Sequence, residues 1–202
     1  IMTGESGARI LPRMRPLGDI DPDEPPFEPG YLTGLVKPQM PGAQRRFELA
    51  KLIGTMHKAK GEPLDPAAKL ALVDPLLAIL DDAAMEEVGL ARMSELEEIK
   101  KMAALHFQEA ATFYEILQNH WPKHLSTQNV MESFARRVAL LNALTNLWGE
   151  TPPAYPVIIA GSTGTLAANA RLMGVVSEMP DGLIVLPGLD KNMPEGAWND
   201  IR

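Results

Sequence analysis

At 202 residues the chain has room for one domain with a sizeable core, and two independent large domains would not fit comfortably. Its 46% apolar and 22% charged residues exclude disorder or a fibrous repeat as a description of the whole, and the lack of cysteine excludes disulfides, thiolate zinc sites, cysteine nucleophiles and iron–sulfur ligation. A net charge of −7 opposes a free-standing nucleic-acid-binding domain, so any phosphate contact has to be local.

The start, Ile1-Met2-Thr3-Gly4-Glu5, lacks the basic and apolar regions of a signal peptide. No apolar run approaches the roughly 20 residues that cross a bilayer, so a cytoplasmic location with no membrane partner is expected. The opening on Ile1 and the stop at Arg202 suggest a segment of a longer protein. Ala8 to Leu11 is a brief predicted strand ending at Pro12. Residues 13–42, broken by Pro25-Pro26, Pro29-Gly30 and Pro41-Gly42, read as an irregular arm.

Four helices are predicted next. Leu49, Leu52, Ile53 and Met56 share one face of a helix over 43–60. Asp65 caps a second helix with Pro66 at its first position; Leu70, Val73, Leu77 and Leu80 form its stripe, and Pro75 is expected to kink or split it. Ser94 and Glu97 form a capping box that opens a third helix, whose stripe runs from Leu96 to Trp121 and stops at Pro122. A fourth spans 128–148, presenting Val130, Phe134, Val138, Leu141, Leu144 and Trp148, with Gly149 as terminator.

The pattern then changes. A β-branched run at 156–160, a glycine loop, a helix over 165–179 and a second apolar run at 183–186 make a βαβ unit, which implies a parallel sheet buried on both faces. The fold class is therefore α/β. Three predicted strands are few for such a sheet, which points to further strands outside these residues or to a truncated sheet.

Gly161-Ser162-Thr163-Gly164-Thr165 lies at a strand-to-helix turn, where exposed N–H groups and the helix dipole favour a phosphate. A Walker loop needs Gly-Lys-Ser/Thr, and no lysine lies between Gly161 and Arg171; a G-x-G-x-x-G fingerprint is also missing. A structural tight turn is the plainer reading, with a nucleotide- or dinucleotide-binding α/β enzyme as the alternative. Ser162 lacks the glycine pattern of a hydrolase elbow. His120 and His124 stand four apart, but Pro122 between them breaks the geometry of a metal pair; His57 and His106 are lone and fall on predicted polar faces. Asp19, Asp21, Asp23 and Glu24 begin like a calcium loop, yet Glu24 and Gly30 occupy the positions of its glycine and glutamate, leaving a solvated acidic turn. No metal or cofactor is expected. The basic pairs Arg45/Arg46, Lys100/Lys101 and Arg136/Arg137 read as solvated faces, whereas Arg13 and Arg15, on a loop directly after a strand, are the candidate DNA contacts.

Three stretches in order, Leu11-Pro12-Arg13-Met14-Arg15-Pro16-Leu17-Gly18-Asp19, Pro156-Val157-Ile158-Ile159-Ala160-Gly161-Ser162-Thr163-Gly164-Thr165 and Val185-Leu186-Pro187-Gly188-Leu189-Asp190, resemble the AddB family in its alphaproteobacterial form. The helical part ending in Asn119-His120-Trp121-Pro122 is similar to that family's helices as well. The resemblance implies a superfamily 1 helicase-like, P-loop-type parallel sheet with a large helical insertion like subdomain 1B. Residues 1–42 would be a strand and arm, 43–150 the insertion and 151–202 the βαβ return. It further implies a decayed ATPase, in which the loop Ala160 to Thr165 is a degenerate nucleotide site, because Ala160-Gly161 stands where an active helicase carries the acidic residues that hold magnesium. The implied role is a non-catalytic scaffold that guides DNA within an AddA-type helicase–nuclease in double-strand break repair. The family's nuclease domain lies nearer the C-terminus of the whole subunit, so no residue here inherits that activity.

Overall fold

The chain is described by a computed structural model at Met14, Leu17, residues 31–87 and residues 113–188. The predicted strand at 8–11, Arg13, Arg15, the acidic turn, the Ser94/Glu97 capping box, Lys100/Lys101 and His106 lie outside the described residues. Elements follow in the order α1 (Tyr31–Gly34), α2 (Gly42–Ala59), α3 (Pro66–Met85), a π-helical turn (Ile116–His120), α4 (Trp121–Gln128), α5 (Ser133–Glu150), β1 (Val157–Ala160), α6 (Ala167–Glu178) and β2 (Gly182–Val185). The fold is mixed α/β, with a two-stranded parallel sheet among the described residues.

α2 forms as its periodicity predicts, with Leu49 and Ile53 fully buried. α3 starts on the expected cap, the Ala68 N–H donating to Asp65 Oδ1 at 2.8 Å. Pro75 does not split it: α3 runs unbroken for 20 residues. Its buried face is Val73, Leu76, Ile79, Leu80 and Ala83, and Leu70 is exposed. The helix is apolar almost all round, so several stripes were open to it, and the partners α2 and α5 selected one.

Pro122 does not end the third helix. The chain passes through the π turn, in which the Trp121 N–H donates to Ile116 O, and continues as α4 with Pro122 in its first turn. The wider coil relieves the pyrrolidine ring's conflict with the preceding turn, and a missing N–H costs little at a fresh helix start. The helix stops instead at Asn129, a left-handed residue at φ 52° and ψ 40°. Residues 129–132 are accordingly not helical: Met131 bridges Gln39, with the Met40 N–H donating to Met131 O and the Met131 N–H to Pro38 O. This tie, and the one-turn helix α1 with buried Leu32, give structure to part of the arm read as loop.

Two apolar clusters result. One joins α2, α3 and the π turn around Leu49, Ile53, Leu76, Ile116, Leu117 and Trp121. The other joins α1, α5 and the βαβ unit around Leu32, Leu144, Trp148, Ile159, Leu172 and Val176, with Leu17 packed against it. α5 contacts both α3 and α6, so the helical part and the sheet share a helix.

Candidate functional site

β1 and β2 pair in parallel from Val157↔Gly182 to Ala160↔Val185. The ladder extends one step at each end, the Val157 N–H donating to Asp181 O and the Gly161 N–H to Val185 O. The glycine loop leaves the carboxyl end of β1, where open α/β sheets place their ligand crevices. Gly161 and Gly164 sit at φ 77° and 70°, a region other residues enter at a cost, and the Gly164 N–H donates to Ser162 Oγ at 3.3 Å.

Ala160, Gly161, Thr163 and Thr165 are exposed, and Ser162 and Gly164 are half-buried. α6 begins at Ala167 behind Leu166, which offers no side-chain cap, so the loop can meet an anion with backbone N–H groups, the helix dipole and the hydroxyls of Ser162, Thr163 and Thr165, but with no charged side chain. No acid occurs from Gly161 to Ser177 and no base before Arg171. Arg171 is committed elsewhere: its guanidinium pairs with Glu87, just past α3, and donates to Asn142 Oδ1 on α5 at 2.8 Å. The loop is therefore a turn without a charged side chain of its own, and the ion pair of its following helix serves to latch α6 onto the helical part.

A second polar centre escaped the sequence reading. Arg45 on α2, expected on a solvated face, is 7% exposed; its guanidinium pairs with Glu132, the residue before α5, and with Asp81 on α3 at 2.7 Å. The Trp121 indole N–H donates to Glu132. Burial pushes the Glu132 carboxyl above its ordinary 4.5, against the attraction of Arg45 and the bond from Trp121. One buried cation thus gathers the starts of α2, α4 and α5 and the later part of α3. Arg136 is likewise buried, its Nε donating to Lys37 O. Arg46 is exposed and pairs with Asp74.

The histidines do not converge. His120 approaches Glu115 at 3.8 Å, while His124 approaches Glu48 at 3.7 Å and stacks on Trp121. His57, expected on a polar face, is 6% exposed, and neither ring nitrogen has a hydrogen-bond partner among the described residues. No group of three or more His, Asp or Glu is arranged to hold a metal among the described residues. No helix among them is long and apolar enough to cross a membrane. A local signal for the Arg45 centre would have been hard to find, because its members come from α3, the start of α4 and the residue before α5. Comparison with family models, curated proteins and solved structures gave no match to the chain.

Proposed function

We propose that the chain is a non-catalytic, helicase-like module of an AddB-type subunit, guiding DNA and bracing an AddA-type helicase–nuclease partner during double-strand break repair. The family reading rests on the three resembling stretches, and one observation supports its non-catalytic character. The βαβ unit carries neither the lysine an NTPase places on the phosphates nor, at the carboxyl end of β1, the carboxylate that holds magnesium: the chain offers Ala160 and an uncharged glycine loop, and Arg171 is held by Glu87 and Asn142. Phosphoryl transfer is mainly charge stabilisation and positioning, so a loop of backbone N–H groups and hydroxyls with no charged side chain is poorly equipped for it. Arg13 and Arg15 are proposed as DNA contacts because they lie on a loop directly after a predicted strand, and the AddA-type partner is proposed on the resemblance alone.

The test is a thermal melt with millimolar ATP and magnesium. A micromolar site would stabilise the fold by about 4 kcal/mol, raising Tm by about 8–16 °C. No shift is expected; a shift of that size would overturn the proposal in favour of a nucleotide-binding enzyme using the Gly161 loop.

A further inference from the structure

A chain with a net charge of −7 can still carry local positive surface, and the outer face of α2 is such a surface. At about 100° per residue, Phe47, Lys51 and Lys58 fall within an arc of about 40°. They lie opposite the buried Leu49 and Ile53, and all three are exposed, Phe47 by 70%. Gly54 belongs to the same stripe, three residues after Lys51 and four before Lys58. Having no side chain, it makes way for the stem of Lys69 from α3: a Cβ at Gly54 would stand 2.8 Å from Lys69 Cε and 3.3 Å from its Nζ. The ammonium groups of Lys51, Lys58 and Lys69 are thus gathered over about two helical turns, with the Phe47 ring one turn before them.

No carboxylate answers them among the described residues. Glu48, the acid of α2, approaches His124 instead, at 3.7 Å, and Asp65 caps α3 through the Ala68 N–H. Arg45, Arg46 and Arg171 each hold a carboxylate, whereas Lys51, Lys58 and Lys69 have no ion-pair partner among the described residues. Like charges on one helix face repel, and a ring left in water contributes nothing to folding. Both conditions reverse against a polyanion that also has flat apolar faces. A DNA duplex offers the phosphates but keeps its bases stacked inside, while a single strand offers both.

We infer that the outer face of α2, together with Lys69, is a contact surface for a single strand of nucleic acid, with the three lysines meeting phosphates and Phe47 stacking on a base. The inference rests on the DNA-guiding reading for its setting. It uses neither Arg13 nor Arg15 and needs no ATP, so the melt above tests that reading separately.

The test is an anisotropy titration of the full chain with a labelled oligothymidylate of about 12 nucleotides, repeated across salt concentrations. Three phosphate contacts to a single strand contribute about −2 to the slope of log K against log salt. Lys51→Gln/Lys58→Gln/Lys69→Gln should make the slope shallower by about that amount, and Phe47→Ala should weaken binding about fivefold or more through one lost stacking contact. Phe47→Trp should keep the affinity, and its added emission should be quenched by the oligonucleotide, a signal that charge alone does not produce. The same effects should appear in an Arg13→Ala/Arg15→Ala background. The inference is overturned if the α2 variants bind as the parent does, if a duplex of the same length binds as tightly and is as sensitive to Phe47→Ala, or if anionic phospholipid vesicles bind to the stripe and the oligonucleotide does not. In the first case, a loss confined to Arg13→Ala/Arg15→Ala would keep the DNA-guiding reading and remove α2 from it.

Discussion

Replacing Arg45 by methionine keeps most of its aliphatic stem and removes its charge, leaving Glu132 with Asp81 but no cation. The side chains of Arg45 and Glu132 are each 8% exposed, so the pair is effectively desolvated, whereas Asp81, at 24%, keeps part of its hydration. Removing one member of a buried pair costs about 3–5 kcal/mol, chiefly because the abandoned charge has no water to return to. Most of that cost falls on Glu132. For a chain of this size a urea slope of about 2–3 kcal/mol/M converts the loss to a midpoint lowered by about 1–2.5 M. Adding Glu132→Gln should recover a substantial part of it, because the amide can still accept from the Trp121 indole while carrying no charge. Arg46→Ala, at the exposed pair with Asp74, provides the contrast and should cost under about 1 kcal/mol. Equal losses at Arg45 and Arg46, or strict additivity of Arg45→Met and Glu132→Gln, would refute the view that Arg45 is a buried keystone.

The Glu132 carboxyl titrates above its ordinary value in the fold, so its contribution to stability is full below about pH 4.5 and is lost as pH rises through the folded value. The stability difference between Glu132→Gln and the parent should therefore grow with pH above 4.5 and then level off, measured by urea melts across pH; a flat difference would contradict the burial argument. Gly182→Ala should cost about 3 kcal/mol, since a Cβ there would stand 1.8 Å from Val176 O and force α6 away from the sheet, a loss readable in the melting midpoint. Duplex DNA should bind weakly and without sequence preference, with a slope of log K against log salt of roughly −2 to −3 for two or three phosphate contacts. Fluorescence titration of Arg13→Ala/Arg15→Ala should give a shallower slope, and unchanged binding would remove these residues from the DNA path.

Signals carried by neighbouring residues were legible in the sequence. The α2 periodicity, the Asp65 cap and the strand–loop–helix–strand order each depend on contacts within a turn or on one crossover, and each appears where its residues predicted it. The misread places depend on distant partners or on competing local geometries. Pro122 reads as a stop until a π turn is available upstream, and the true stop, Asn129 in the left-handed region, carries little signal as a single residue. Arg45 and Arg136 read as solvated because charged residues ordinarily are; they are buried because acceptors from other segments meet them. For the glycine loop, the sequence alone showed which charges were missing, but the engagement of Arg171 with Glu87 and Asn142 required the fold. Arg13 and Arg15, singled out for their place on a loop after a predicted strand, lie outside the described residues.

α5 makes the two clusters parts of one mechanism. Eighteen residues form a strut about 27 Å long. One end is fastened through Glu132 and Arg136 to the helical part, and the other carries Trp148 into the core beneath β1. Such a member transmits rotation but absorbs little of it: a tilt of about 5° at the fastened end moves the other by about 2 Å. A displacement of the helical part would therefore arrive at the sheet and not be lost as local flexing. The Arg171 latch adds a second tie in parallel, so that α6 and the glycine loop would ride with the strut.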